Sequence, residues 1–99
     1  MKPSPAHRDH VGPVLEDSPA ARAVVAAIQG LNPGTIVEDQ GAYLRVLSPR
    51  RCVVTRRAIE ASLGRPFRLP ADLEPLMPAF KGQLKMTEEE AVWSFRESP

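Results

Sequence analysis

The chain has 99 residues, 42% of them apolar and 25% charged, a globular balance with room for one modest core and little for a deep substrate cleft. Its single cysteine, Cys52, excludes an internal disulfide and a cysteine metal cage. The longest uncharged run, residues 23–37, is broken by Gly30, Asn32, Pro33 and Gly34, so no segment reads as a membrane span, and no apolar secretory segment opens the chain. A soluble cytoplasmic protein is expected.

The net charge of +1 is unevenly placed: residues 1–44 sum to −2, residues 45–68 to +6 and residues 69–99 to −3. The basic centre uses arginine alone, which binds planar anions through paired N–H donors. A solvated face, an acidic protein partner and a nucleic acid are all compatible with it.

Residues 1–10 hold two prolines and read as a flexible tail, ahead of a single compact domain over 11–99. His7 and His10 would suit a metal only on a helix, which this tail does not favour. Residues 11–16 predict a short strand with Pro13 at its start or on an edge. Ser18 as N-cap and Pro19 at the first position open a helix with Val24, Val25 and Ile28 on its apolar stripe. Gly30 is the expected end.

Residues 35–39 and 43–47 form a hairpin candidate around Gln40-Gly41. Leu44 and Val46 share one face, with Tyr43, Arg45 and Leu47 on the other. A turn at 48–50 leads to a further strand at 52–54, so three strands in a meander follow the helix. Cys52 reads as a small buried residue, since no His or Asp stands beside it. Thr55 caps a second helix that Gly64 ends, with Ile59 and Leu63 buried. Arg56 and Arg57 occupy its first turn, against the helix dipole. They mark either a binding place or stems packed over a sheet.

Pro66, Pro70, Pro75 and Pro78 punctuate the next stretch, with a helical turn or two at 71–76. From 79 to 86 Phe80, Gly82, Leu84 and Met86 alternate along one strand face. Residues 87–90 turn, and a last strand aligns Trp93 with Phe95 as core residues. No Ser-His-Asp or Cys-His set, Gly-rich phosphate loop or HExxH motif is present, which points to a binder rather than an enzyme. The fold expected is α+β: small mixed sheets with two main helices, in the order β-α-β-β-β-α-(short α)-β-β.

Several local signatures occur in series: Val11-Gly12-Pro13, Ile36-Val37-Glu38-Asp39 before Tyr43-Leu44-Arg45, Thr55-Arg56-Arg57, Leu63-Gly64-Arg65-Pro66-Phe67 and Phe80-Lys81-Gly82. Together they resemble the regulatory (effector, or coupling) protein of soluble diiron multicomponent monooxygenases, closest to the toluene and alkene monooxygenase branch. The resemblance spans residues 10–97. His10 stands where the family often has Asn before Val-Gly-Pro, and the long N-terminal tail of the methane branch has no counterpart here.

The resemblance implies a cofactor-free α+β protein without catalysis of its own; no metal site is expected from the residues, and a monomer is expected when free. Its partner would be the iron-bearing subunit of a diiron hydroxylase oligomer, with no nucleic acid and no membrane involved. It would tune substrate access, oxygen activation and the coupling of NADH use to hydroxylation. The hydroxylase-contacting segment of the family corresponds to Leu76, Met77, Pro78, Ala79, Phe80, Lys81 and Gly82, with Met77 and Phe80 as anchors or as core. Arg45, Arg56 and Arg65 are the candidate charged rim, and His10 and Val11 a candidate N-terminal contact. The alternative is a small nucleic-acid-binding module that uses the arginine-rich centre.

Overall fold

The computed structural model describes residues 8–96. The expected tail and His7 therefore lie almost wholly outside the described residues. The order is β1 His10–Glu16, α1 Pro19–Leu31, β2 Ile36–Asp39, β3 Tyr43–Pro49, β4 Arg51–Thr55 and α2 Arg56–Leu63. A 3₁₀ turn at Glu74–Leu76 follows, then β5 Ala79–Lys81, β6 Gln83–Met86 and β7 Glu90–Ser94.

Both helices start as their caps dictate. Ser18 Oγ accepts from the Ala21 N–H at 3.0 Å, and Thr55 Oγ1 accepts from the Ala58 N–H at 3.1 Å. Gly64 ends α2 in the left-handed region, at φ 79°. Helix α1 does not stop at Gly30 but runs to Leu31, with Asn32 as its cap. The Asn32 amide supplies what a glycine cap would have left to backbone. Its Nδ2 donates to the Ile28 and Val53 carbonyls at 2.7 and 2.8 Å, while its Oδ1 accepts from the Val53 N–H at 2.9 Å. One buried side chain thus ties the helix end to β4.

The strands form two sheets, β2-β3-β1-β5 and β4-β7-β6. The α+β class holds, but the pairing is antiparallel throughout rather than mixed. Nor do three strands meander after α1. Strand β3 pairs with β2 and β1, whereas β4 leaves for the second sheet and pairs with β7. The divergence occurs at Arg50, which has φ 64°. Its N–H donates to the Asp9 carbonyl at 3.0 Å, and its carbonyl accepts from Phe95 N–H at 2.8 Å.

The strand expected over 79–86 is split in the same way. Gly82, at φ 105°, separates β5 in the first sheet from β6 in the second. A Cβ at position 82 would lie 2.7 Å from Val11 Cγ1 and 2.8 Å from the Ser94 carbonyl oxygen. Only glycine fits where the chain passes between both sheets.

Pro13 is not at an edge, because β1 lies between β3 and β5. The pairing of β1 with β3 runs through His10 and Val11, skips Gly12 and Pro13, and resumes at Val14. Where it lapses, β5 pairs on the other side: Gly12 with Lys81, Pro13 with Phe80, Val14 with Ala79. Proline, which has no N–H to give a ladder, is tolerated at such an interruption.

Trp93, Val11, Leu15, Ile28, Val54 and Ile59 are fully buried in one core cluster that both sheets and both helices share. Leu44 and Val46 are buried as their alternation predicts, and Tyr43 and Arg45 are exposed. Leu47 departs from that pattern: it is buried, beside half-buried Ile36, its partner on β2. Phe95 is only partly buried, with the Arg50 guanidinium 5.5 Å from its ring centre.

Candidate docking surface on the four-stranded sheet

The connection after α2 is held from below. The Phe67 N–H donates to Glu60 Oε2 at 2.9 Å, and the Arg68 N–H donates to Asp72 Oδ2 at 2.8 Å. Phe67, Leu69 and Leu73 are buried, so this proline-rich strap is pinned to the core by three apolar side chains. The 3₁₀ turn then carries Leu76 and Met77, both half-buried against the core. Pro78, Ala79 and Phe80 emerge exposed, Phe80 with 46% of its surface in solvent. Strand β5 is an edge of its sheet, and Phe80 lies outside the core cluster.

Phe80 and Lys81 share a cleft of about 330 Å³ with Gly12 and Val14 of β1 and with Tyr43 and Arg45 of β3. Only three large apolar side chains among the described residues are exposed: Leu31, Tyr43 and Phe80. Two of the three meet here. A second cleft, of about 230 Å³, is lined by Ala20, Leu63, Arg65, Phe67, Asp72 and Leu76. The segment 76–82 therefore runs from one cleft to the other, with Arg45 beside one end and Arg65 beside the other.

The other expected site residues lie elsewhere. Arg56 does not project freely. It contacts Glu60 Oε1 at 3.4 Å and Glu89 Oε1 at 3.2 Å, and these carboxylates offset its position against the helix dipole. Its neighbour Arg57 is exposed. His10 and Val11 are buried, with 8% and 0% of their surface exposed, so neither presents a contact face in this conformation. His10 Nδ1 lies 3.2 Å from Asp9 Oδ1, and Val11 packs against the passage at Gly82. Their position matters indirectly, since Val11-Gly12-Pro13 lies alongside residues 80–82.

Sequence reasoning missed Tyr43, Gly12 and Val14 as members of this surface. The signal for Tyr43 was its place outward of Leu44 and beside Arg45. Nothing local announced that β1 and β5 would flank it. Cys52 is buried, and burial pushes its thiol up to about 11, which keeps it protonated and inert at neutral pH. Among the described residues no three His, Cys, Asp or Glu side chains gather as a metal site. No helix there is long and apolar enough to cross a membrane.

The basic centre is not one face. Three of its seven arginines reach carboxylates: Arg50 toward Asp9 at 3.7 Å, Arg56 toward Glu60 and Glu89, and Arg68 toward Asp72 at 3.7 Å. Asp9, Asp72 and Glu89 come from the acidic flanks. This dispersal does not favour the nucleic-acid alternative, which needs a continuous basic track.

Residues 9–94 match the MmoB/DmpM family. The chain belongs to that family. It is 39% identical over 88 residues to the effector subunit of the alkene monooxygenase system of Xanthobacter autotrophicus, covering 87% of this chain and 86% of that protein. Its fold matches a chain of a phenol hydroxylase–regulatory protein complex with a TM-score of 0.77 and 20% identity, over 88% of this chain and 98% of the other. Soluble methane monooxygenase regulatory protein B matches with a TM-score of 0.68 and 20% identity, over 97% of this chain and 69% of the other. Members of the family are regulatory and effector subunits of monooxygenases, not catalytic ones.

Proposed function

We propose that this protein is the effector of a multicomponent monooxygenase and acts by binding the iron-bearing subunit of its diiron hydroxylase. The segment 76–82 docks, Phe80 is its principal anchor, Met77 supports it from the half-buried side, and Arg45 and Arg65 stand at its two ends. The observation that carries this reading is the exposed Phe80 on a short edge strand whose approach is pinned to the core. A surface already ordered loses little entropy on docking, and an exposed aromatic at its centre supplies the largest gain.

The effect on the hydroxylase is allosteric. An effector shifts an enzyme between states only by binding one of them more tightly. Binding to the oxygen-activating state would adjust substrate access and raise the share of NADH electrons that end in hydroxylated product. The protein needs no cofactor of its own for this and works as a monomer in the cytoplasm, one copy per active site.

The test is a titration of this protein into its hydroxylase with reductase and ferredoxin present, following product formed per NADH consumed. The expected curve rises and saturates near one effector per active site. A flat curve with a folded effector and an active hydroxylase would sink the reading.

A further inference from the structure

We infer that the cleft between β1, β3 and β5 receives a carboxylate-bearing, partly apolar segment of the hydroxylase, gripped by Arg45 between the rings of Tyr43 and Phe80. This rests on the effector reading above and extends the contact from the strap to the sheet face.

The cleft is built from three distant parts of the chain, so it exists only in the folded protein. Its walls are the exposed rings of Tyr43 and Phe80, with 43% and 46% of their surfaces in solvent. Val14 and Gly12 belong to its lining, and at Gly12 the lack of a Cβ lets β1 lie against the Val46 carbonyl. Arg45 is exposed, and among the described residues it has no ion pair. Glu38 is its register partner on β2, yet it makes no ion pair with Arg45 either. Lys81 lines the same cleft.

A guanidinium without an ion pair that lines one cleft with two exposed rings suits a single planar carboxylate, held by paired N–H donors and flanked by apolar surface. A polyanion fits poorly, because Glu16 and Glu38 stand in register with Tyr43 and Arg45. Tyrosine and arginine near the centre of an interface are the residue types that carry most binding energy. The gap between Tyr43 and Phe80 in sequence does not matter, since β1 pairs with β3 on one side and with β5 on the other.

The test measures the affinity of the full chain for its purified hydroxylase, without turnover, at low and high salt. Arg45→Glu is expected to weaken binding at least tenfold at low salt, with a smaller gap at high salt, where screening shortens electrostatic reach. Tyr43→Ala is expected to weaken it about tenfold at both, because its contribution is apolar. Arg57→Glu makes the same charge change on α2 and should have a clearly smaller effect than Arg45→Glu. Thermal melting verifies that each variant folds, and Arg45→Gln replaces Arg45→Glu if the reversed charge beside Glu38 prevents folding. If the wild-type chain binds and the Arg45 and Tyr43 variants bind as tightly, the cleft proposal is overturned while the effector reading stands. If the wild-type chain does not bind, the effector reading falls and takes the cleft with it. If these variants instead abolish a self-association seen by sedimentation and leave hydroxylase binding intact, the occupant is a second copy and the proposal is wrong.

Discussion

Trp93 and Phe80 are both aromatic residues in short strands near the C-terminal end, and each belongs to an alternating apolar pattern. Trp93 lies in β7, the middle strand of its sheet, and has no exposed surface. Phe80 lies in β5, an edge strand of three residues, and is nearly half exposed. Neither local composition nor alternation separates them. What separates them is what each ring faces: Trp93 turns into the core that both sheets share, whereas Phe80 turns into the open cleft beside Tyr43 and Arg45, on a strand with no neighbour on its outer side. The buried ring holds the structure together, and the exposed one is the anchor proposed for docking, although the residue type is shared.

Substitutions can break this comparison. The largest expected effect is at the buried ring. Trp93→Ala should cost about 3–5 kcal/mol, as for other large core truncations. That approaches the whole stability of a domain with about 5–15 kcal/mol, so urea denaturation should show a variant that is largely unfolded or close to it. Gly82→Ala comes next, at about 1–3 kcal/mol. The new methyl meets Val11 and the Ser94 carbonyl, and the backbone keeps a φ that disfavours it. Displacement of β5 should accompany the loss, so this variant should also activate the hydroxylase poorly, and normal activation would show that the passage between sheets tolerates it.

Phe80→Ala inverts the Trp93 pattern. Stability should fall by less than about 1 kcal/mol, because half the ring was already in water. Hydroxylase activation should fall about tenfold at sub-saturating effector. A variant that unfolds, or one that activates normally, would place Phe80 with Trp93 as a structural residue. Arg57→Glu should slow association a few-fold at low salt and hardly at all at high salt, measured by stopped flow. A salt-independent change would remove it from the electrostatic approach.

The smallest effect concerns Cys52. Its thiol is raised from the ordinary 9.0 to about 11 by burial, so the folded state disfavours the thiolate. The stabilisation this represents is complete below pH 9 and lost as pH rises toward 11. A thiol reagent at pH 8 should react slowly with the native protein and with one equivalent after unfolding. Fast reaction in the native state would mean that the core around Trp93, its partner across the strands, opens readily.

Much of the fold was legible along the chain, wherever the cause was local. Ser18-Pro19 and Thr55 announced helix starts, Gly64 announced an end, and the alternation at Leu44 and Val46 announced a buried face. Gly30 misled because Asn32, two residues on, caps the helix with its own amide and a partner in β4. The three-strand meander misled because Arg50 and Gly82 send consecutive strands to different sheets, and nothing in a strand's composition names its neighbour. The segment 76–82, proposed to dock, was legible only through its likeness to a family. Its relation to Tyr43 and Arg45 was not legible at all.

Helix starts, the alternation along strands and the family signatures were readable along the chain, because each depends on residues within a few positions of one another. Which aromatic is buried, which arginines meet carboxylates and how the basic centre is dispersed follow from the packing of the two sheets. Asp9, Asp72 and Glu89 are far from the centre in sequence or outside its bounds, yet folding sets them beside Arg50, Arg68 and Arg56. Coulomb interactions and burial depend on distance in space, and strand pairing across two sheets is what converts one kind of distance into the other.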